Sequence, residues 1–437
     1  MFRKLYGEKT VSEQEEILPR HLSTKLDKAL DSARIVNIVG PRQAGKTTLV
    51  RDLHKNGRFI TLDDESVLTA IENDPGGQLE SLTTGLEAEP LIIDEIQRSK
   101  GLVLAIKKKV DGNRRKGQFI LTGSSNIFMS LRVADSLAGR MRVLNLWPLT
   151  VSEIRKRNPS RILTWALRPA PKLAALPTPE KTDRQSYIDI ILRGGFPEIF
   201  PLEVEERQEY YRDYVDAIVD RDVADVLPVR RTDALRRLIN QLAVRTAMEL
   251  NLSEICELVG VQRNTLEQYL EVLSRLSVVN RLGAWASGES RREIKNAKNH
   301  FVDTGVACAL RRLTPESFHA DANPVALGGL LESFVYSELL RSVPYQDQNL
   351  HFYHWRDSRG REIDILAESA TRLICIEVKA STAISPQDLK HLKWFAKKGP
   401  GTTREVIGLV FYLGQEKLSF GNGIFALPVS ILWSTVS

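Results

Sequence analysis

Gly40, Pro41, Arg42, Gln43, Ala44, Gly45, Lys46 and Thr47 follow one another at the spacing Gly-x4-Gly-Lys-Thr, with Thr48 next. Glycines at those two places let backbone N–H groups turn inward around phosphate oxygens. Lys46 then meets the β and γ oxygens of a nucleoside triphosphate, and the Thr47 hydroxyl ligates Mg2+. A second acidic pair stands further on, where Pro90 to Gln97 reads PLIIDEIQ. Asp94 is of the type to hold the Mg2+ shell and Glu95 to polarise an attacking water, which points to turnover of the nucleotide rather than passive binding. Gly123, Ser124, Ser125 and Asn126 close a third apolar run, and Asn126 or one of the serines is suited to orient that water. Arg140 ends the run Leu137-Ala138-Gly139-Arg140. Its fixed, delocalised charge suits a finger reaching a neighbouring copy's nucleotide, and suits almost equally a surface arginine at a helix end.

The elements that must carry these groups are an apolar strand at Ile35 to Val39, a helix opening at Lys46, and strands at the acidic run and at Gln118 to Thr122. Acids at the carboxyl edge of an open parallel sheet lie where ligands gather. Beyond the prolines at 169, 171, 177 and 179, which read as a linker or inserted loop, Tyr187 to Arg245 is rich in helix and carries Tyr210, Tyr211 and Tyr214 as a core stripe. Asn251 to Leu282 has the apolar spacing of two tightly joined helices with Gly260 in the turn, a helix-turn-helix pattern. Its second helix would offer Gln262, Arg263, Asn264, Glu267 and Gln268 to DNA phosphates and base edges, or would simply pack.

A second chemical signature lies near the C-terminus. Glu332 sits in the helical stretch GGLLESFVYSELL, Asp364 in REIDIL, and Glu377 and Lys379 in LICIEVKA. Glu377 and Lys379 are two apart and so share one face of a strand. His354, Trp355 and Arg356 before these strands, and Lys390, Lys393 and Trp394 after them, suit a nucleic-acid backbone and its bases, or rim packing.

These features in this order resemble the AAA ATPases, and more narrowly the prokaryotic ones that carry a C-terminal domain of unknown function. The resemblance rests on GPRQAGKTTL, LIIDEIQ, ILTGSSN, SLAGR, the GGFPE of Gly194 to Glu198 and the IEVK of Ile376 to Lys379. It implies ATP as the nucleotide and a homo-oligomer such as a hexameric ring. GGFPE looks like the lid element of signal-transduction ATPases, which implies that Pro197 touches the adenine. Glu332, Asp364, Glu377 and Lys379 resemble the site of the PD-(D/E)xK nucleases, with Ile363 where the proline of that name would stand. In such a site Asp364 and Glu377 bind Mg2+ and Lys379 orients or deprotonates water. The alternative is a nuclease-like fold kept for binding, its charges forming a buried ion-pair network.

The expected fold class is α/β. Residues 1–32 form an N-terminal helical segment, 33–167 an AAA-type P-loop parallel-sheet core, and 168–184 a Pro-rich linker or insertion. Residues 185–248 form a helical lid, 249–290 a winged helix, and 291–437 a restriction-endonuclease-like α/β domain. A chain of 437 residues, 42% hydrophobic, supports several packed domains. Cys256, Cys308 and Cys375 are isolated and lack metal-ligand spacing, so they read as reduced thiols. No apolar run is long enough for a membrane span or signal peptide, so a cytoplasmic location is expected. The net charge of +6 is modest but clustered, as at Lys107 to Lys109 and Arg114 to Lys116. Three functions fit: an ATPase motor coupled to a Mg2+-dependent DNA nuclease, a DNA-binding AAA remodeller that does not cut, and an ATP-dependent switch with a protein partner.

Overall fold

The structure is a computed structural model that describes residues 17–54, 57–124, 137, 139–223, 231–286, 296–319, 324–400 and 404–434. Five parallel strands build the first sheet: β1 (Ile35–Gly40), β2 (Arg58–Thr61), β3 (Leu91–Asp94), β4 (Phe119–Ser124) and β5 (Met141–Asn145), in the order β2-β3-β4-β1-β5. Period-two alternation divides their apolar side chains between two layers. Val36, Ile38, Ile92 and Ile120 pack with the helix Leu22–Leu30 on one face. Ile35, Ile93, Phe119 and Leu121 pack with the helix Lys100–Gly112 on the other. Burial on both faces explains why β1 and β3 read as nearly unbroken apolar runs.

Helices Arg184–Arg193, Val204–Ala217 and Thr232–Val244 follow, then Leu252–Val259 and Arg263–Arg275. Gly260, at φ 74, makes the left-handed C-cap between the last two. Three short antiparallel strands, β6 (Met248–Glu249), β7 (Val279–Leu282) and β8 (Lys298–Phe301), pair in the order β6-β8-β7. The division expected at 290/291 therefore cuts between two paired strands, because β8 completes the sheet begun by β6 and β7. The helix Thr304–Leu310 then turns back onto Val204–Ala217.

The third unit is a six-stranded mixed sheet of β9 (His351–Arg356), β10 (Glu362–Glu368), β11 (Arg372–Lys379), β12 (Glu405–Tyr412), β13 (Leu418–Ser419) and β14 (Ile424–Pro428). Its order is β13-β14-β12-β11-β10-β9, with β11, β12 and β14 parallel and the other pairings antiparallel. The helix Pro324–Ser342 covers the face that carries Ile365, Ile374 and Ile376. The helix Lys390–Lys398 covers the face that carries Leu366, Leu373 and Cys375.

The Pro-rich stretch, expected as a linker or insertion, lies against this third unit. Lys417 Nζ donates to the carbonyls of Leu173, Leu176 and Pro177 at 3.2, 3.0 and 3.1 Å, and Leu176 is buried. Prolines that bar regular structure leave carbonyls for side chains to satisfy. Val151, Ile162, Leu163 and Trp165 pack into the core shared by the helices that follow residue 184 and the third unit. Of the cysteines, Cys308 and Cys375 are buried and Cys256 half-buried. Among the described residues no helix is long and apolar enough to cross a membrane.

Candidate nucleotide site and the C-terminal charged cluster

β1 delivers the loop. A Cβ on Gly40 would lie 2.0 Å from Leu146 O, so only glycine lets the strand end so close to its neighbour. Gln43 and Gly45, at φ 60 and 90, wind the loop through the left-handed region before Lys46 opens the helix. Lys46 Nζ, buried, donates to Gly40 O at 3.2 Å and Pro41 O at 2.9 Å. Burial pushes its ammonium pKa down, while Glu95, Asp94 and Asp222 pull the other way. Thr47 Oγ1 donates to Asp94 Oδ2 at 2.9 Å, and Thr122 Oγ1 donates to the other oxygen of the same carboxylate. A hydroxyl and a carboxylate side by side are hard oxygen donors of the kind Mg2+ takes, so Thr47 and Asp94 fit that ion.

Glu95 occupies a left-handed turn at φ 56 just past β3, and Gln97 Nε2 donates to its carboxylate. Burial holds its carboxyl pKa above the ordinary range, against the pull of Lys46. Asn126 and Ser125 lie outside the described residues. Arg140 sits at the amino-terminal end of β5, where its carbonyl accepts from Ile35 N at 3.2 Å and its side chain pairs with Asp111. Gly40 and Lys46 lie at the opposite, carboxyl end of these parallel strands. Arg140 therefore stands at the other end of the sheet from this chain's own P-loop.

The lid closes on the loop through side chains. Arg42 pairs with Asp222 at 2.8 Å, and Tyr210 Oη donates to Gln43 Oε1 at 3.0 Å. Pro197 Cγ is 3.7 Å from the point where a Cβ on Gly45 would stand. Between them opens a cavity of about 950 Å3 whose lining includes Leu18, Gly45, Thr48, Pro197 and Phe200. That volume accommodates a nucleoside. Gly194 and Gly195 have no room for side chains: a Cβ would meet Asp303 Oδ1 at 2.1 Å and Leu149 O at 2.3 Å respectively. Asp303 Oδ2 accepts from Gly195 N at 2.8 Å, which fixes the approach of Pro197 to the loop.

Arg20 escaped sequence reasoning. Its guanidinium donates to Ala44 O at 2.6 Å and Trp147 O at 2.5 Å and pairs with Glu153 at 3.3 Å, bracing the loop from behind. No sequence signal marks it, because its partners lie far along the chain. Asp303 was missed for the same reason.

The C-terminal charges form two pairs on either side of Asp364. Lys298, from β8, places Nζ 2.8 Å from Glu332 Oε1 and 3.5 Å from Asp364 Oδ1. Lys379 pairs with Glu377 at 2.7 Å, and Asp364 Oδ2 accepts from Val378 N at 3.0 Å. Among the described residues no three His, Cys, Asp or Glu side chains are placed to hold a metal ion. Strand alternation is the reason. Leu373 and Cys375 face the helix Lys390–Lys398, so Glu377 and Lys379 continue that face, while Glu332 rides on the helix covering the opposite face. The register irregularity between Ile363 and Leu366 falls at Asp364 and leaves it between the two pairs. Burial and the nearby Asp364 push the Glu332 carboxyl up to about 8, against Lys298. The same two causes raise Glu377, against Lys379. Burial alone would lower the Lys298 ammonium, but Glu332 and Asp364 outweigh it and hold it above its usual range.

Gln262, which caps the helix Arg263–Arg275, and Arg263, Asn264, Glu267 and Gln268 within it are exposed, with Arg263 paired to Glu267 at 3.0 Å. On the third unit Trp394 stacks on Trp355 with centroids 5.8 Å apart, and the Arg361 guanidinium lies 3.4 Å over the Trp394 ring. Lys390, Lys393, Lys397 and Lys398 stand exposed on the same helix.

Comparison with known proteins separates the chain in the same way. A family model described as AAA domain matches residues 32–155. Two models described as domains of unknown function match residues 184–317 (DUF8612) and 327–432 (DUF4143). An uncharacterised protein of Mycobacterium tuberculosis is 28% identical over 84% of this chain and 75% of its own. Another, of Methanocaldococcus jannaschii, is 24% identical over 82% of this chain and 76% of its own. A solved Walker-type ATPase of Pyrococcus abyssi is 14% identical, covering 68% of this chain and 97% of that one at a TM-score of 0.40. Residues 32–155, which hold the loop, the paired acids and the parallel sheet, are thus similar to an AAA domain, and the stretches that follow are similar to two domains of unknown function.

Proposed function

We propose that the protein is an ATP-hydrolysing, DNA-binding ATPase whose C-terminal domain grips DNA without cutting it. The observation that carries the hydrolytic half is the joint held by Thr47, Asp94 and Thr122 with Glu95 beside it. Loop N–H groups and Lys46 hold the triphosphate, and the lid residues Pro197, Tyr210 and Asp222 close over it. A water aligned with the γ-phosphorus gives a proton to Glu95 as its oxygen bonds to that phosphorus, the bond from phosphorus to the β–γ bridging oxygen breaks so that ADP leaves, and Lys46 balances the charge that develops. Thr47 and Asp94 would hold Mg2+, which would supply further charge neutralisation. Arg140 serves a neighbouring copy's site, which makes the working form a homo-oligomer.

Against cutting stands Lys298, whose ammonium already occupies, 2.8 Å from Glu332 and 3.5 Å from Asp364, the place where a divalent ion would be needed. This favours the remodeller over the nuclease. DNA as partner is supported by the exposed polar row Gln262, Arg263, Asn264 and Gln268 and by the lysine-rich helix Lys390–Lys398. ATPase rates with and without duplex, single-stranded and branched DNA, run beside Mg2+ cleavage assays, test the reading. Stimulation without cleavage is expected; cleavage that Lys379→Ala abolishes would restore the nuclease, and absence of both binding and stimulation would leave a protein-partnered switch. Lys393→Ala and Lys397→Ala are expected to weaken binding to all DNA sequences alike. Each should lower the slope of log K against log salt by about one. Unchanged slopes would remove this helix from the interface.

A further inference from the structure

A second pocket, of about 340 Å3, opens beside the lid element, with Asp189, Arg193, Arg207, Gln208, Tyr211 and Cys308 in its wall. It shares no lining residue with the cavity at the P-loop. Arg193 is the last residue of the helix Arg184–Arg193 and directly precedes Gly194. Its Nε is enclosed and has no hydrogen-bond partner, and its guanidinium lies 5.0 Å over the Phe200 ring. Burial, with the positive charges of Arg207 and Arg155, holds its pKa below the usual arginine range, against Tyr211 and the Asp189 carboxylate. The Asp189 carboxylate accepts from Gln185 Nε2 at 2.9 Å, and Arg207 is anchored through Nε to Leu202 O at 2.7 Å. With two guanidiniums and one carboxylate in its wall, the pocket keeps a net positive charge that a further anion would offset.

We propose that this pocket binds a small organic anion, carrying a carboxylate or a phosphate, between Arg193 and Arg207. Tyr211 and Cys308 offer the apolar wall for its body, and the volume lies at the small end for ligand pockets. The site is coupled to the nucleotide by position. Arg193 leads into Gly194 and Gly195, and Tyr211 Oη donates to Arg193 O at 2.7 Å while touching Asp303, which holds Gly195 N. An anion that fixes Arg193 thus fixes the seat of Pro197 against the P-loop, so its occupancy sets how firmly the lid closes.

Calorimetric titration of the full chain tests this with two probes, citrate and inorganic phosphate, after the P-loop has been saturated with ADP and Mg2+. At least one probe is expected to bind, and Arg193→Gln and Arg207→Gln should each weaken it roughly tenfold or more. Arg207→Gln guards against a folding defect at Arg193, and both variants must still bind ADP. Preference for citrate identifies a carboxylate ligand, and preference for phosphate a phosphorylated one. If neither probe binds at millimolar concentration, or both variants titrate like the wild type, the assignment is overturned. Failure of ADP to bind would instead count against the nucleotide site, so the two readings are told apart.

Discussion

Asp94 and Glu95 are neighbours in the chain yet suited to different tasks because their surroundings differ. Asp94 accepts from the hydroxyls of Thr47 and Thr122, which fix both of its oxygens toward the loop. Glu95 is turned away by its left-handed backbone and held by Gln97, and burial raises its pKa. A carboxyl with a raised pKa is a stronger base, and it stops being one as pH falls through that raised value. The acid limb of the ATPase pH profile should therefore lie above the range of an ordinary glutamate. Glu95→Gln should lower kcat by roughly 10²–10⁴ while nucleotide affinity changes little. Single-turnover hydrolysis and nucleotide titration measure the two separately; a variant that hydrolyses at the wild-type rate would remove Glu95 as the base.

At the scale of elements, the lid is set by close backbone approach. Gly195→Ala places a methyl 2.3 Å from Leu149 O, which must move the GGFPE element off the loop. Nucleotide affinity should fall by an order of magnitude or more, with a lower melting temperature, whereas alanine at the open Gly85, which has positive φ but no neighbour within 4 Å, costs only backbone strain. The same residues show what was legible beforehand. GPRQAGKT, DE and GGFPE could be picked out because each is a contiguous run of residue types, although Asp94 meets Thr47 and Thr122, and Gly195 meets Asp303, only through the fold. Arg20, Lys298 and Asp303 could not, because each acts on residues brought near only by the fold. The face taken by Glu332 was equally hidden, since helix packing, not strand alternation, decides it. Helix Pro324–Ser342 also carries Glu338, whose carboxylate accepts from Val151 N at 3.3 Å and whose pKa burial pushes up to about 7, against Arg341. A folded-state pKa raised from 4.5 means that the fold favours the protonated acid. This contribution is full below about pH 4.5 and is lost as pH rises through 7, at a cost of at most about 3 kcal/mol. Thermal melts between pH 5 and 8 should show the decline, and Glu338→Gln should flatten it; an unchanged decline would assign it to other groups.

Across the whole molecule, Lys298 is the joint. It belongs to β8, in the sheet that follows the lid helices, but its ammonium ends between Glu332 and Asp364 of the third unit. A buried cation between two acids is stabilising relative to its own removal even where the trio is worth little against an apolar substitute. Lys298→Met keeps most of the side-chain volume and leaves two enclosed carboxylates facing each other. Such a loss typically costs about 3–5 kcal/mol, relieved in part by a proton on Glu332, which is already inclined to hold one. The expected result is a lower melting temperature at pH 8 than at pH 6, measured against the wild type at each pH, because protonation spares the variant at the lower value. The two readings of the cluster now diverge. If it is an ion-pair joint, Mg2+ or Mn2+ added to Lys298→Met leaves both the melting temperature and DNA integrity unchanged. If it is a metal centre closed by a lysine, the ion should occupy the vacated position, restore the melting temperature and expose cleavage of DNA. The placement of Glu377 on the face opposite the helix of Glu332 favours the first outcome, since only Asp364 and Glu332 would remain to hold the ion.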